Sequence, residues 1–354
     1  MCTGASLRPY TLAFMKLLKR IFIFLLIAIP VLLAVGITFT IGWRPIIGPR
    51  VRPPANLKIE ATPARLERGT YLANGLLGCI NCHSEHDTSL PGAPEKADRL
   101  GAGHLLISDP DLGTVHTANI TPDRETGIGD WTDGEIARAI REGISRDGRA
   151  LFPVMPYDRF RHMSDDDLAA VIIYVRSLPP VQHSVPKPKI NFPIDRIVLG
   201  FPEPVTEPVR DPEFHSARDR GEHLAELASC SGCHTPIDKF GQPLANLPFA
   251  GGQVLKTNDG KPIATLNLTS DPSGIPYYDE ATFIKMIRTG QIGARKIDPV
   301  MPWGFYRRLN DEDLKSIFAF IHTLKPVVHQ VDNTVEPTMC PLCGSEHGLG
   351  EKNK

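Results

Sequence analysis

The pentapeptide Cys-x-x-Cys-His occurs twice in this chain of 354 residues, as Cys79-Ile80-Asn81-Cys82-His83 and Cys230-Ser231-Gly232-Cys233-His234, 151 residues apart. The residues after each copy are repeated as well. Asn119-Ile120-Thr121-Pro122-Asp123 returns as Asn267-Leu268-Thr269-Ser270-Asp271, and Pro153-Val154-Met155-Pro156-Tyr157 as Pro299-Val300-Met301-Pro302-Trp303. Ser164 to Leu168 returns as Asn310 to Leu314, and from Met155 to His183 the offset is a constant 146 residues. A period that long specifies tandem domains, because solenoid units recur every 20–50 residues or so.

The pentapeptide itself is the attachment sequence of a c-type haem. Two thiols add across the two vinyl groups, and the adjacent imidazole reaches the iron. A structural zinc pair is the competing reading of one copy alone, and the duplication favours haem. The chain is therefore expected to carry two covalently bound haem c groups through Cys79, Cys82, Cys230 and Cys233, with His83 and His234 on the iron. A sixth ligand must come from elsewhere. Thioether sulfur is a soft donor that raises the potential relative to a second imidazole. Of the seven methionines, only Met155 and Met301 occupy matching positions, each followed by proline. Met163 aligns with Leu309, and Met286 sits on an apolar helical face, so both read as core. His183 and His329 also match and offer a bis-histidine alternative, but both lie just beyond a proline and read as surface residues.

Each half reads as a small all-helical domain, giving an all-α fold class. Arg65 to Gly75 and Ala217 to Ala228 are helical stretches leading into the motifs. Thr132-Asp133-Gly134-Glu135 is a capping box opening a helix that Gly143 closes, and Asp279 to Gly290 is its counterpart. The last helices begin at Ser164 and Asn310, bury Leu168, Val171, Ile172, Val175 and Leu178 or Leu314, Ile317, Phe318, Ile321 and Leu324, and stop at proline. The two Asn-x-Thr sequences match a glycosylation sequon, yet their shared place in the repeat argues for a structural role. Trp131 and Trp303 read as packing residues.

Ile21 to Ile41 is an apolar run of 21 residues, about 31 Å as a helix and long enough to cross a bilayer. Pro30 is its kink site. The run is expected to be an uncleaved single-pass anchor, since no short apolar region with a small-x-small cleavage site is visible. The expected organisation is 1–14 an extension or upstream mis-start, 15–42 the transmembrane anchor, 43–60 a linker, 61–183 the first haem domain, 184–212 a proline-rich linker, 213–330 the second haem domain and 331–354 a tail. Haem attachment of this type takes place outside the bacterial cytoplasmic membrane, which puts the haem domains in the periplasm. Residues 1–60 carry net charge +7, residues 61–183 net −6, and residues 213–330 are balanced at 13 of each sign. The acidic first domain reads as a solvated surface, with a docking face for a basic partner as the alternative. Nothing points to nucleic acid.

In the tail, Cys340-Pro341-Leu342-Cys343 lacks the adjacent histidine that haem needs. It makes half a zinc site, with His347 at most a third ligand, and a local disulfide is its simplest fate in an oxidising compartment. Cys2 supports no inference.

The two haem motifs, Asn119 to Gly129 with Trp131-Thr132-Asp133-Gly134-Glu135, and the methionine–proline segments make residues 61 to 330 resemble the membrane-associated c-type cytochromes of bacterial respiratory chains, particularly the cytochrome subunits serving periplasmic alcohol, sugar-acid and similar dehydrogenases. The resemblance implies haem-binding cysteines at 79, 82, 230 and 233, and axial ligands His83, Met155, His234 and Met301. It implies an electron carrier, or the cytochrome subunit of a dehydrogenase complex, working between a periplasmic dehydrogenase or quinol-linked donor and a terminal oxidase or soluble cytochrome. Many such subunits carry three haems, and this chain has two complete motifs. A dihaem peroxidase is the enzymatic alternative, and a gas sensor a third. Methionine on both irons argues against the peroxidase.

Overall fold

The computed structural model describes residues 8–40, 42–90, 93–238, 241–257 and 259–354. Cys2, the first seven residues of the expected extension and Ile41 at the end of the apolar run lie outside the described residues.

Of the apolar run, Ile21 to Phe39 lies in one helix, Arg8–Phe39, which continues through Pro30. Its stretch Phe14–Phe39 is long and apolar enough to span a membrane, and its most apolar window is not buried among the described residues.

Each repeat is built around two crossing helices. In the first, the opening helix Pro63–Tyr71 crosses the closing helix Asp165–Ser177; in the second, Ala217–Leu227 crosses Asp311–His322. The crossing is close because a glycine sits at the contact. A Cβ on Gly69 would stand 2.0 Å from the Ala170 carbonyl oxygen, and one on Gly221 only 1.7 Å from that of Ser316. The preceding arginine locks the pair. Arg68 makes two bonds to Asp167, at 2.7 and 2.8 Å, and Arg220 two to Asp313, at 2.9 and 2.6 Å. Those aspartates lie in the first turn of the closing helices, where negative charge also suits the helix dipole.

The expected caps form. Thr132 and Glu135 make the reciprocal capping box, Gly143 and Gly290 take the left-handed conformation past the helix end, and Asp279, Ser164 and Asn310 each accept a backbone N–H of the first turn. The expected apolar face of the first closing helix, Leu168 through Leu178, is buried throughout. From the crossing glycine to the first motif cysteine there are ten residues in the first repeat and nine in the second. The first repeat absorbs its additional residue as one π-helical turn, Leu72–Leu76, the usual way a helix takes in an insertion.

The all-α expectation is not met: the protein is 39% helical and carries several small antiparallel sheets. Leu105–Asp109 and Gly113–His116 form a hairpin that Lys189–Ile190 extends. Val254–Lys256 pairs with Pro262–Ala264, Gln291–Ile292 with Arg295–Lys296, and Pro337–Met339 with Glu346–Gly348. Two of these sheets lie in the long connections after the haem motifs. Such connections run over the surface and must satisfy their backbone groups locally, and a hairpin does so. Strands of two to five residues are too short to leave the periodic signal that helices leave.

The connecting segments are laid against the repeats. Arg52 pairs with Glu142 and Ile59 N–H donates to Asp133, so the chain runs along the helix Asp133–Glu142; a Cβ on Gly134 would collide with the Ala55 carbonyl. In the second segment, Glu203 meets Arg161 and the Val209 carbonyl accepts from Asp165 N–H. The repeats also touch each other. The Tyr71 hydroxyl donates to Asp313, Arg308 pairs with Glu95 at 2.9 Å, and Gly78 abuts the Phe305 ring.

The crossing generates a stability prediction. Gly221→Ala should force the second pair of helices apart at a cost of roughly 1–3 kcal/mol, as overpacking does, while Gly200→Ala, with open space around it, should be close to neutral. Thermal unfolding followed by circular dichroism checks both.

Candidate haem sites

Each motif occupies a short helix of its own, Cys79–His83 and Cys230–His234, set off from the opening helix by one left-handed residue, Gly78 at φ 62° or Ser229 at φ 56°. That break turns the chain so that the motif starts a new helix. Cys79 and Cys230 pack against the main core, whereas Cys82 and Cys233 are exposed, and all four are free thiols. Burial, with the partner cysteine adding to it, pushes the Cys79 and Cys230 thiols up to about 12.

The motif histidines are held alike. His83 Nδ1 lies 2.7 Å from the Ala118 carbonyl and His234 Nδ1 2.8 Å from that of Leu266. Their own carbonyls accept from Gly103 and Gly251, each at 2.7 Å. A proton on Nδ1 shared with a carbonyl leaves Nε2 as the lone-pair nitrogen, the arrangement a metal-binding imidazole requires. Burial lowers both histidines below the ordinary imidazole value, favouring that neutral form.

The methionine segments share a geometry as well. Met155 N–H donates to the Phe152 carbonyl, and Met301 N–H to that of Asp298; the following prolines, at φ −81° and ψ 57° or 49°, close a tight turn through Tyr157 or Trp303 N–H back to the methionine carbonyl at 2.8 or 2.7 Å. The next aromatic fixes this turn onto the middle helix. A Cβ on Gly143 would meet the Tyr157 ring at 2.6 Å, and one on Gly290 the Trp303 indole at 2.2 Å. Trp303 is thus a packing residue, as expected.

In the second repeat these parts converge on one cavity of about 1540 Å³, lined by Cys230, Cys233, His234 and Met301 together with apolar side chains that include Leu268, Phe283, Ile317 and Ile321. This exceeds the roughly 300–1,000 Å³ of ordinary small-molecule sites and has room for a macrocycle. The donor set and the apolar wall fit a haem c. Met286 borders the same cavity, but its counterpart by helix alignment is Ala139, so the repeat singles out Met301. Met163 is fully buried in the core. Tyr306, also lining the cavity, donates to the Ala228 carbonyl at 2.6 Å, and its burial beside Cys230 and Cys233 keeps the phenol neutral.

The Asn-x-Thr elements are structural. Asn119 and Asn267 are 3% and 2% exposed. The amide of Asn119 donates to the Val181 carbonyl and that of Asn267 to Val327, both at 2.8 Å, while each side-chain oxygen accepts from Thr121 or Thr269. Each clamp ties the exit of the closing helix to the loop that ends at the motif histidine's carbonyl partner. The surface reading of the paired histidines holds for neither. His183 is half-buried with its ring on Arg99. His329 is completely buried, with Nε2 facing Cys340 Sγ and not the cavity. Sequence reasoning also missed the Arg68-Gly69 and Arg220-Gly221 pairs, although their duplication in the opening helices was the available signal.

Two repeats that each present Cys-x-x-Cys-His, a carbonyl-bound imidazole and a matching methionine turn make the arrangement a c-type cytochrome would use, and the homologues of this chain are cytochrome c subunits of quinone-linked dehydrogenases and a dihaem c-type cytochrome, at about 30% identity. They include the cytochrome c subunit of the alcohol dehydrogenase (quinone) of Gluconobacter oxydans, 33% identical over 250 residues that make up 66% of this chain and 48% of that protein. A nicotinate dehydrogenase subunit of Pseudomonas putida is 34% identical over 258 residues, 71% of this chain and 20% of that protein. A dihaem c-type cytochrome of Cereibacter sphaeroides is 32% identical over 184 residues, 49% of this chain and 59% of that protein. The chain thus spans less than two thirds of the length of each of these relatives. No family model matches it. The cytochrome c homologues imply covalently bound haem c.

The buried amide clamp gives the next prediction. Asn267→Ala should remove the amide bond to the Val327 carbonyl and leave the buried Thr269 N–H without its side-chain acceptor, lowering stability by roughly 1–3 kcal/mol, measured as a fall in the unfolding midpoint.

Proposed function

We propose that this chain is a membrane-tethered dihaem electron carrier whose haem domains, residues 61–183 and 213–330, stand in the periplasm on a single-pass anchor in the cytoplasmic membrane. It takes electrons from a periplasmic dehydrogenase or quinol-linked donor and passes them down a respiratory chain to a terminal oxidase or soluble cytochrome. The observation that carries this reading is the matched histidine and methionine geometry in both repeats. The cytochrome subunits of dehydrogenases among the relatives support a dehydrogenase as donor, and the apolar helix supports the anchor.

Haem iron, when bound, supplies reversible one-electron transfer. The chain's own residues do the rest. Cys79 and Cys82, or Cys230 and Cys233, would fix the group covalently. His83 and His234, whose Nδ1 is taken by a backbone carbonyl, would offer Nε2 to its iron. Met155 and Met301, in turns pinned by Tyr157 and Trp303, would supply a soft thioether ligand. Apolar side chains form much of the wall of the second site, and the contacts through Asp313 and Arg308 hold the two repeats together. An iron held by both a histidine and a methionine would suit transfer of electrons and not chemistry on a substrate. The purified chain should accordingly show two one-electron haem transitions and no sustained turnover of hydrogen peroxide; such turnover would overturn the carrier reading.

Two further outcomes are expected. Denatured protein should carry two covalent haems by its pyridine haemochrome spectrum, and Cys230→Ala with Cys233→Ala should leave one. Met301→Ala should open one site to carbon monoxide and remove half of the far-red methionine–ferric haem band, and Met301→His should lower the potential of one haem only. Met163→Leu and Met286→Leu should do neither.

A further inference from the structure

Four residues unused by the haem sites meet behind the second repeat. His329, Cys340, Cys343 and His347 are 0%, 0%, 5% and 2% exposed, and one donor atom from each lies within 4.8 Å of the other three. His329 Nε2 is 3.4 Å from Cys340 Sγ, and His347 Nε2 is 3.4 Å from Cys343 Sγ. We propose that these residues form a closed tetrahedral Cys2His2 zinc site that fastens the C-terminal tail to the second haem domain.

The distances suit one ion. With Zn–S about 2.3 Å and Zn–N about 2.05 Å, a tetrahedral centre separates sulfur from nitrogen by roughly 3.5 Å. Both histidines are oriented for it. His329 Nδ1 is engaged by the Ala250 carbonyl at 2.9 Å and His347 Nδ1 by that of Gly348 at 3.1 Å, so each presents Nε2 to the sulfur atoms. Carbonyl-bound imidazoles of this kind are what surrounds a metal. The cysteines sit at the tip of the hairpin Pro337–Met339 and Glu346–Gly348, whose turn is closed by Gly344 N–H on the Cys340 carbonyl and by Cys340 N–H on that of Ser345, each at 2.9 Å. They are free thiols, not the disulfide expected from the sequence. His329 is admitted because position 252 is glycine: a Cβ there would stand 2.4 Å from the ring.

The matching histidine of the first repeat has a different partner. Its equivalent histidine, His183, is engaged by Arg99. The residue matching Arg99 is Leu247, which packs with Ala250, Cys340 and Cys343 in a small separate core. With leucine in the place of the arginine, the imidazole meets the thiols that the tail brings. Two thiolates and two imidazoles in a tetrahedron select zinc. Binding displaces the two thiol protons, Zn²⁺ replacing 2 H⁺, and no oxidant or reductant is involved. Four protein ligands leave no open position, so the site is structural. Tail residues Val331, Asp332, Asn333 and Leu349 line the cavity beside Met301, so the ion would hold that wall in place.

The test uses the purified full-length haem-loaded protein. Elemental analysis should find about one zinc per chain, and zinc-edge X-ray absorption should show two sulfur ligands near 2.3 Å and two nitrogen ligands near 2.0–2.1 Å. This needs no variant. Cys340→Ser with Cys343→Ser should reduce zinc to less than about a tenth per chain while the covalent haem content stays unchanged, which separates this site from the haem motifs. A Cys340–Cys343 disulfide in wild-type peptides with no zinc, non-haem iron in its place, or zinc undiminished in the double variant would each overturn the proposal.

Discussion

The contact on which everything else depends is the crossing of the opening and closing helices. Gly69 and Gly221 bring the backbones together, and Arg68 and Arg220 tie them through Asp167 and Asp313. Each opening helix leads, through one left-handed residue, into a haem motif, and each closing helix follows the methionine turn and ends at the asparagine clamp. The crossing therefore fixes three otherwise separate pieces, which lie far apart in sequence: the thiols and imidazole, the methionine, and the loop that accepts Nδ1. Apolar burial gives each pair a common core, but burial has no direction. Direction comes from the glycine contact and the paired charges.

Duplication then gives two copies of one solution, and their differences show what each part is for. The π turn at Leu72–Leu76 absorbs a residue without moving the motif. Asp313 has become a shared point, bonded to Arg220 of its own repeat and to Tyr71 of the other, at 1% exposure. An aspartate with partners on both sides resists separation of the repeats, because breaking either contact leaves a buried charge under-satisfied. The two repeats are consequently joined by specific bonds as well as by the linker.

The tail obeys the same logic. In the first repeat an arginine occupies the histidine after the closing helix; in the second, an apolar residue and a cysteine hairpin do. A small change at one matched position alters which groups can approach, and the same histidine serves a different structure.

The sequence by itself determined the haem chemistry, the duplication, the helix caps and the apolar helix, because each depends on residues close in the chain or on exact repetition. Thr132 with Glu135, and Ser164 with Asp167, find each other within one turn. Only the tertiary structure decided the rest. The hairpins were not visible because strands of a few residues carry little periodic signal. The burial of His329 depends on the Ala250 carbonyl, 79 residues away, which takes its Nδ1, and on the space at Gly252. An imidazole is a surface group or a metal ligand according to what meets its other nitrogen, and that neighbour is supplied by the fold.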